Sequence, residues 1–112
     1  MVIYTTRPVK ELETLEFKEL IHDKVIIISP HAFDHLSRNQ RKIFKEEDLI
    51  YMIQKENPRK IYIQENKRYA AYYRKSDGYR KIVTEVQDKS VVIVTFTDPK
   101  EIPKINLQNG KN

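Results

Sequence analysis

The chain has 112 residues, 39% apolar and 33% charged, with a net charge of +5 and a pI near 9.4. That length holds one domain with one modest core, and the basic balance favours a polyanionic partner such as RNA, DNA or anionic lipid. Cysteine is absent and the glycines are two, Gly78 and Gly110. This excludes disulfides, thiolate metal sites and Gly-rich phosphate loops. No apolar run approaches the ~20 residues of a membrane span. The mixed segment after Met1 carries no signal-peptide h-region, so a cytoplasmic protein is expected.

In chain order, Val2–Thr5 reads as an edge strand. Thr6-Arg7-Pro8 then opens a helix over about residues 8–21, with Leu12, Leu15, Phe17, Leu20 and Ile21 as its apolar stripe. Val25–Ile28 fits a strand. Ser29-Pro30 is a good helix start, and the spacing predicts a helix from His31 to about Arg38, followed by a loop over Asn39–Lys42. Lys45–Lys55 reads as the next helix. Glu46, Glu47 and Asp48 sit in its first turn, where the dipole favours anions, and Asn57-Pro58 stops it.

Lys60–Glu65 reads as a strand, followed by Arg68–Arg74, Tyr79–Gln87 and Val91–Thr97. Short turns force these to be antiparallel neighbours, so they can be paired on paper. Arg74 falls opposite Tyr79, Tyr72 opposite Lys81, Ala70 opposite Val83, Arg68 opposite Glu85, then Glu85 opposite Ile93 and Lys81 opposite Thr97. Opposite residues share a face. One face then collects Tyr69, Ala71, Tyr73, Ile82, Thr84, Val86, Val92, Val94 and Phe96, an apolar core face. The other collects Arg68, Tyr72, Arg74, Lys81, Glu85, Thr95 and Thr97, a basic and aromatic surface suited to a phosphate polymer. A bulge at either turn would reverse one strand. The expected architecture is α+β: a four- to five-stranded antiparallel sheet packed on one face by two or three helices, as one domain over 1–98 with an extended tail over 99–112 that frays.

On the wheel of the 31–38 helix, Ala32, Phe33 and Leu36 form the core stripe, while His31, His35 and Arg38 cluster beside it. Histidine moves protons near neutral pH. RNA cleavage by 2′-hydroxyl attack needs a base, an acid and cations around the phosphorane, and no metal or cofactor. His31 and His35 are the acid/base candidates, with Glu85 sharing that task. Arg68, Arg74 and Lys81 would stabilise phosphate charge, and Tyr72 would stack on a base or donate to phosphate. Plainer roles compete: solvated imidazoles, an Arg68–Glu85 cross-strand ion pair, and threonines present for strand propensity. The i, i+4 histidines also suit a metal pair, but the chain offers no H-E-x-x-H motif and a third ligand would have to come from elsewhere.

The order strand, His-bearing helix, helix, four-stranded meander resembles the BrnT type of RelE-like toxin domain. The residues that carry this are "SPHAFDHL" at 29–36, "FKEEDLIYMI" at 44–53, "NPRKIYI" at 57–63 and "VVIVTF" at 91–96. The resemblance covers about two-thirds of the chain, and its motifs are short. It implies a metal-independent endoribonuclease acting on free or ribosome-bound RNA, with an antitoxin as partner. It maps a helix histidine to His31 or His35, strand cations to Arg68, Arg74 and Lys81, and a late-strand hydroxyl to Thr95. The segment 8–21 departs from the compact pattern and suits either dimer contacts or a cover for the RNA face. The alternatives are a non-catalytic nucleic-acid-binding module and a protein-interaction domain that forms a homodimer.

Overall fold

The structure is a computed structural model that describes residues 5–105 and Leu107. In chain order it contains β1 (Pro8–Leu12), α1 (Thr14–Ile21), β2 (Val25–Ile28), α2 (Arg38–Ile43), α3 (Glu46–Lys55), β3 (Lys60–Gln64), β4 (Tyr69–Lys75), β5 (Gly78–Val86) and β6 (Ser90–Thr97). The strands form one six-stranded sheet in the order β1-β3-β4-β5-β6-β2. β2 runs parallel to β6, and every other neighbour pair is antiparallel. The fold is therefore α+β as expected, but the sheet is larger than the four or five strands expected and is mixed rather than antiparallel.

Both differences come from the N-terminal third. Pro8–Leu12 was expected to open a helix and instead pairs with β3, with a bulge between Pro8 and Lys10. Proline is tolerated there because β1 is an edge strand and one of the two edges of the sheet needs no donor from it. The helix shrinks to Thr14–Ile21, where Phe17 and Ile21, four apart, are its buried residues. Of the expected strand Val2–Thr5, Val2, Ile3 and Tyr4 lie outside the described residues. Thr5 hydrogen-bonds Glu65 through its backbone and its hydroxyl.

The paper pairing of β4 with β5 holds: Ala70 faces Val83, Tyr72 faces Lys81 and Arg74 faces Tyr79. In β6 it holds only at the far end, where Lys81 faces Thr97 and Val83 faces Thr95. The next pair is Thr84 with Ile93, so Val94 is skipped at a bulge. One extra residue reverses the parity of the strand before it. Val91 and Ile93 consequently enter the core in place of the expected Val92 and Val94, while Phe96 stays buried.

Two turns depend on special backbone. Gly78 has φ +144°, and a Cβ there would lie 2.9 Å from the Pro99 carbonyl oxygen. Only glycine fits that approach. At the β3–β4 turn Lys67 takes φ 71°, the left-handed position of a three-residue hairpin loop, while Asn66 Oδ1 accepts from the Arg68 amide at 3.0 Å. Lysine is strained there. Lys67→Gly is expected to raise unfolding free energy by about 0.5–1 kcal/mol, since the relief of left-handed strain exceeds the added chain entropy. Urea denaturation checks this, and an unchanged or lower midpoint would contradict it.

The core lies between the sheet and the helices. Phe17 and Ile21 of α1, and Leu49, Met52 and Ile53 of α3, pack with Ile61, Ala71, Tyr73, Ile82, Ile93 and Phe96. Residues 30–36 complete this cover, but not as the expected helix. They form successive turns closed by Ala32 N–H to Ser29, Asp34 N–H to His31 and Leu36 N–H to Phe33. The helix begins only at Arg38, where the expected one was to end, and runs through the expected loop Asn39–Lys42 to Ile43. Ser37 caps it by a full capping box with Gln40, a stronger start signal than Ser29-Pro30. Ala32 is nonetheless fully buried, and Phe33 and Leu36 pack on the core.

The chain after β6 crosses the other sheet face. Ile102, Ile105 and Leu107 pack on Tyr62, Ala70, Tyr72 and Val83. These described tail residues lie on the sheet because that face offers apolar surface for them to bury.

Candidate functional site

The basic sheet face differs in character from the expected surface. Tyr72 is only 3% exposed because the tail covers it, and burial, reinforced by Tyr62, pushes its phenol pKa up. Its ring cannot stack on a base. Lys81 lies half-buried with its ammonium 5.9 Å from the Tyr72 ring centre, and burial pushes its pKa down. Arg68 Nε donates to Glu85 Oε1 at 3.4 Å, and Glu85 also accepts from Gln87 at 3.1 Å. Arg74 is exposed, with its guanidinium 5.1 Å over the Tyr79 ring. Thr95 pairs with Val83 on this same side.

The histidines lie across the sheet from these groups. His35 stands edge-on to Phe96, ring centres 5.1 Å apart, on the helix-covered side. The sheet itself therefore separates His35 from Arg68, Glu85, Tyr72 and Lys81. The two imidazoles also part company. A 3.6-residue helix would stack them, but turns closed three residues on do not. His31 points to solvent, its side chain 82% exposed. Its Nδ1 lies 2.8 Å from Asp34 Oδ2, and Arg41 Nη2 donates to Asp34 Oδ1 at 3.1 Å. The His31 hydrogen bond, and after it Arg41, hold the Asp34 carboxyl below the usual carboxylate range against a smaller opposing effect of desolvation. An ionised carboxylate only accepts, so the Nδ1 proton faces it and the neutral ring presents Nε2 to solvent as an acceptor.

Beside His35 lies a cleft of about 290 Å³ bordered by Gln40, Phe44, Phe96 and Asp98. Its structural anchor is Arg80, which shares the core-facing parity of Ile82. The Arg80 side chain is only 9% exposed and that of Asp98 29%. Arg80 Nε donates to Asp98 Oδ1 at 2.8 Å and Nη2 to Oδ2 at 3.1 Å, while Lys75 Nζ donates to Oδ2 at 3.0 Å. The guanidinium lies 5.0 Å over the Phe44 ring and 5.5 Å over the Phe96 ring, a stacked geometry that suits arginine. Burial alone would raise the Asp98 pKa, but the hydrogen bonds from Arg80 and Lys75 outweigh it and hold the carboxyl below its usual value.

Between the cleft and the Asp34 cluster runs α2, with Arg38, Asn39, Gln40, Arg41, Lys42 and Ile43 all exposed. Lys45 follows it. A larger cavity, about 390 Å³, opens near Lys18, His22 and Lys55. There Lys18 already donates to the carbonyls of Ile53, Gln54 and Glu56, which makes it a brace for the end of α3.

Arg80, Asp98, Asp34 and Arg41 escaped the sequence reading. Arg80 was within reach, since the alternation that buries Ile82 also turns Arg80 inward, and an inward arginine requires a partner. The spacing of His31 and Asp34 was a second signal. Nothing in the sequence paired Asp98 with Arg80. Among the described residues no cluster of three or more His, Cys, Asp or Glu is arranged to hold a metal ion, and no helix is long and apolar enough to cross a membrane. No protein-family model, curated protein or solved structure matches the chain.

Proposed function

We propose that the protein binds RNA along residues 31–45 and cleaves it without a metal, as a toxin-type endoribonuclease. The observation that carries this is the carboxylate-held His31, with His35 on the same turn segment and the exposed cations of α2 beside them. In the reaction, His31 Nε2 takes the proton of a 2′-hydroxyl and that oxygen attacks the adjacent phosphorus. His35 protonates the departing 5′-oxygen, leaving a 2′,3′-cyclic phosphate and a free 5′-hydroxyl. Arg38 and Arg41 offset the charge on the phosphorane. Glu85 and Thr95 lie behind the sheet and have no part in this scheme. An RNA substrate and the BrnT-like order of elements both fit a cytoplasmic protein held in check by an antitoxin.

The test is incubation of single-stranded RNA with the full chain in EDTA, with and without translating ribosomes. Fragments bearing cyclic phosphate ends are expected. Intact RNA in both arms would leave binding as the only nucleic-acid role. Affinity itself should fall about twentyfold between about 50 and about 200 mM salt if three single-strand phosphates are contacted, and a flat salt response would remove RNA altogether.

A second reading is self-association through β2. That strand is a sheet edge, contains no charge, proline or bulge, and exposes Val25 and Ile27. Unprotected edges of this kind pair with other chains. Light scattering across a concentration series decides it.

A further inference from the structure

Building on the RNA reading, we infer that the cleft between His35, Gln40, Phe44 and Asp98 seats one unstacked nucleobase next to the proposed cleavage site. Its volume, about 290 Å³, is at the lower end for small-molecule sites and leaves room for one planar ring system. Its walls are aromatic. The exposed His35 ring and the half-buried Phe44 ring both contact Phe96, at 5.1 and 5.2 Å between ring centres, and every base offers a π-face for such rings.

Two polar groups border it, and each has unused capacity. Gln40 Oε1 accepts from the Ser37 amide at 2.9 Å, which fixes the orientation of the amide. Its Nε2 makes no hydrogen bond among the described residues, so both N–H donors are free. Asp98 accepts from Arg80 twice and from Lys75 once, and a carboxylate has room for about four such bonds. A donor and an acceptor at one cleft match the edge of a base, where donors and acceptors alternate. The walls are also fixed in advance, because Arg80 is clamped to Asp98 and stacked on Phe44 and Phe96. Pre-set geometry lowers the cost of binding. Arg38, Arg41 and Lys42 are exposed on α2, the helix that also carries Gln40, and would meet the phosphates flanking a seated base.

The experiment titrates each of the four ribonucleoside 5′-monophosphates into the isotopically labelled full chain and follows its NMR spectrum. Ribose 5-phosphate serves as the probe without a base. The expected result is movement of the Gln40 side-chain amide and the Thr97 and Asp98 backbone signals with nucleotides but not with ribose 5-phosphate. Gln40→Leu should weaken nucleotide binding about tenfold and leave ribose 5-phosphate unchanged. If nucleotides and ribose 5-phosphate move the same α2 signals and nothing at Gln40, the base seat is wrong while RNA binding stands. If RNA oligomers also fail to bind, the reading beneath it falls as well.

Discussion

Alanine at His31 is expected to lower the rate of the proposed RNA cleavage by about 10²–10⁴-fold, the range for loss of a positioned proton-transfer group, and alanine at His35 should do the same. RNA affinity should change by no more than about twofold, because Arg38, Arg41 and Lys42 remain. The two sites differ in their structural cost. His31 is open to water, and its ring hydrogen-bonds Asp34, so His31→Ala should shift stability by less than about 0.5 kcal/mol, and added imidazole should restore part of the rate. His35 rests against Phe96, so His35→Gln is the better companion there, keeping bulk while losing the titrating ring. Glu85→Gln and Thr95→Val act as opposite controls, since the sheet stands between them and the histidines. A normal rate in His31→Ala, or a collapse of the rate in Glu85→Gln, would put the chemistry elsewhere.

Asp98→Ala is expected to cost about 3 kcal/mol of stability, the lower end for breaking a buried ion pair because Asp98 keeps some solvent contact. The loss comes mainly from what stays behind. Arg80 would remain under Phe44 and Phe96 with no acceptor, and Lys75 would lose its 3.0 Å partner. Replacing the pair together, Arg80→Met with Asp98→Asn, should cost less than the two single changes summed, since an apolar side chain suits those rings. The pH dependence has a definite sign. The folded pKa of Asp98 lies below its ordinary 3.8, so the carboxylate stabilises the fold fully above that value. Its contribution fades as pH falls through the lower folded value. The gap between wild type and Asp98→Ala should therefore be constant at neutral pH and close only below about pH 4. Denaturant titrations at a series of pH values measure it, and a gap that widens on acidification would contradict the assignment.

The legible parts of this fold were those governed by local rules. Alternation and short turns gave the β4–β5 register residue by residue, and acidic residues before an apolar stripe marked α3. What escaped depended on distant partners. No local signal says that Val25–Ile28 will lie parallel to β6, or that Ile102 and Ile105 will find Tyr72. The bulge at Val94 is a single unpaired residue, yet it exchanged the inward set of half a strand. Residues 30–36 satisfied a helical pattern because Ala32, Phe33 and Leu36 point inward from turns as well as from a helix. The Ser37–Gln40 capping box marked the real start about two turns further on. The histidines stood out by residue type. Their placement across the sheet from the strand cations did not, because it depends on which face the helices choose to cover.

The sheet order has a consequence for how the chain reaches its native state. Both rims of the sheet are early segments, β1 and β2, and each is seated by a late one, β3 and β6. A nascent chain therefore holds β1 without its docking strand until Gln64 has emerged, and Val25–Ile28 without its own until β6 has followed. Closure waits for contacts between segments far apart in the sequence, which slows folding and leaves the apolar β2 segment open to premature encounters with other chains.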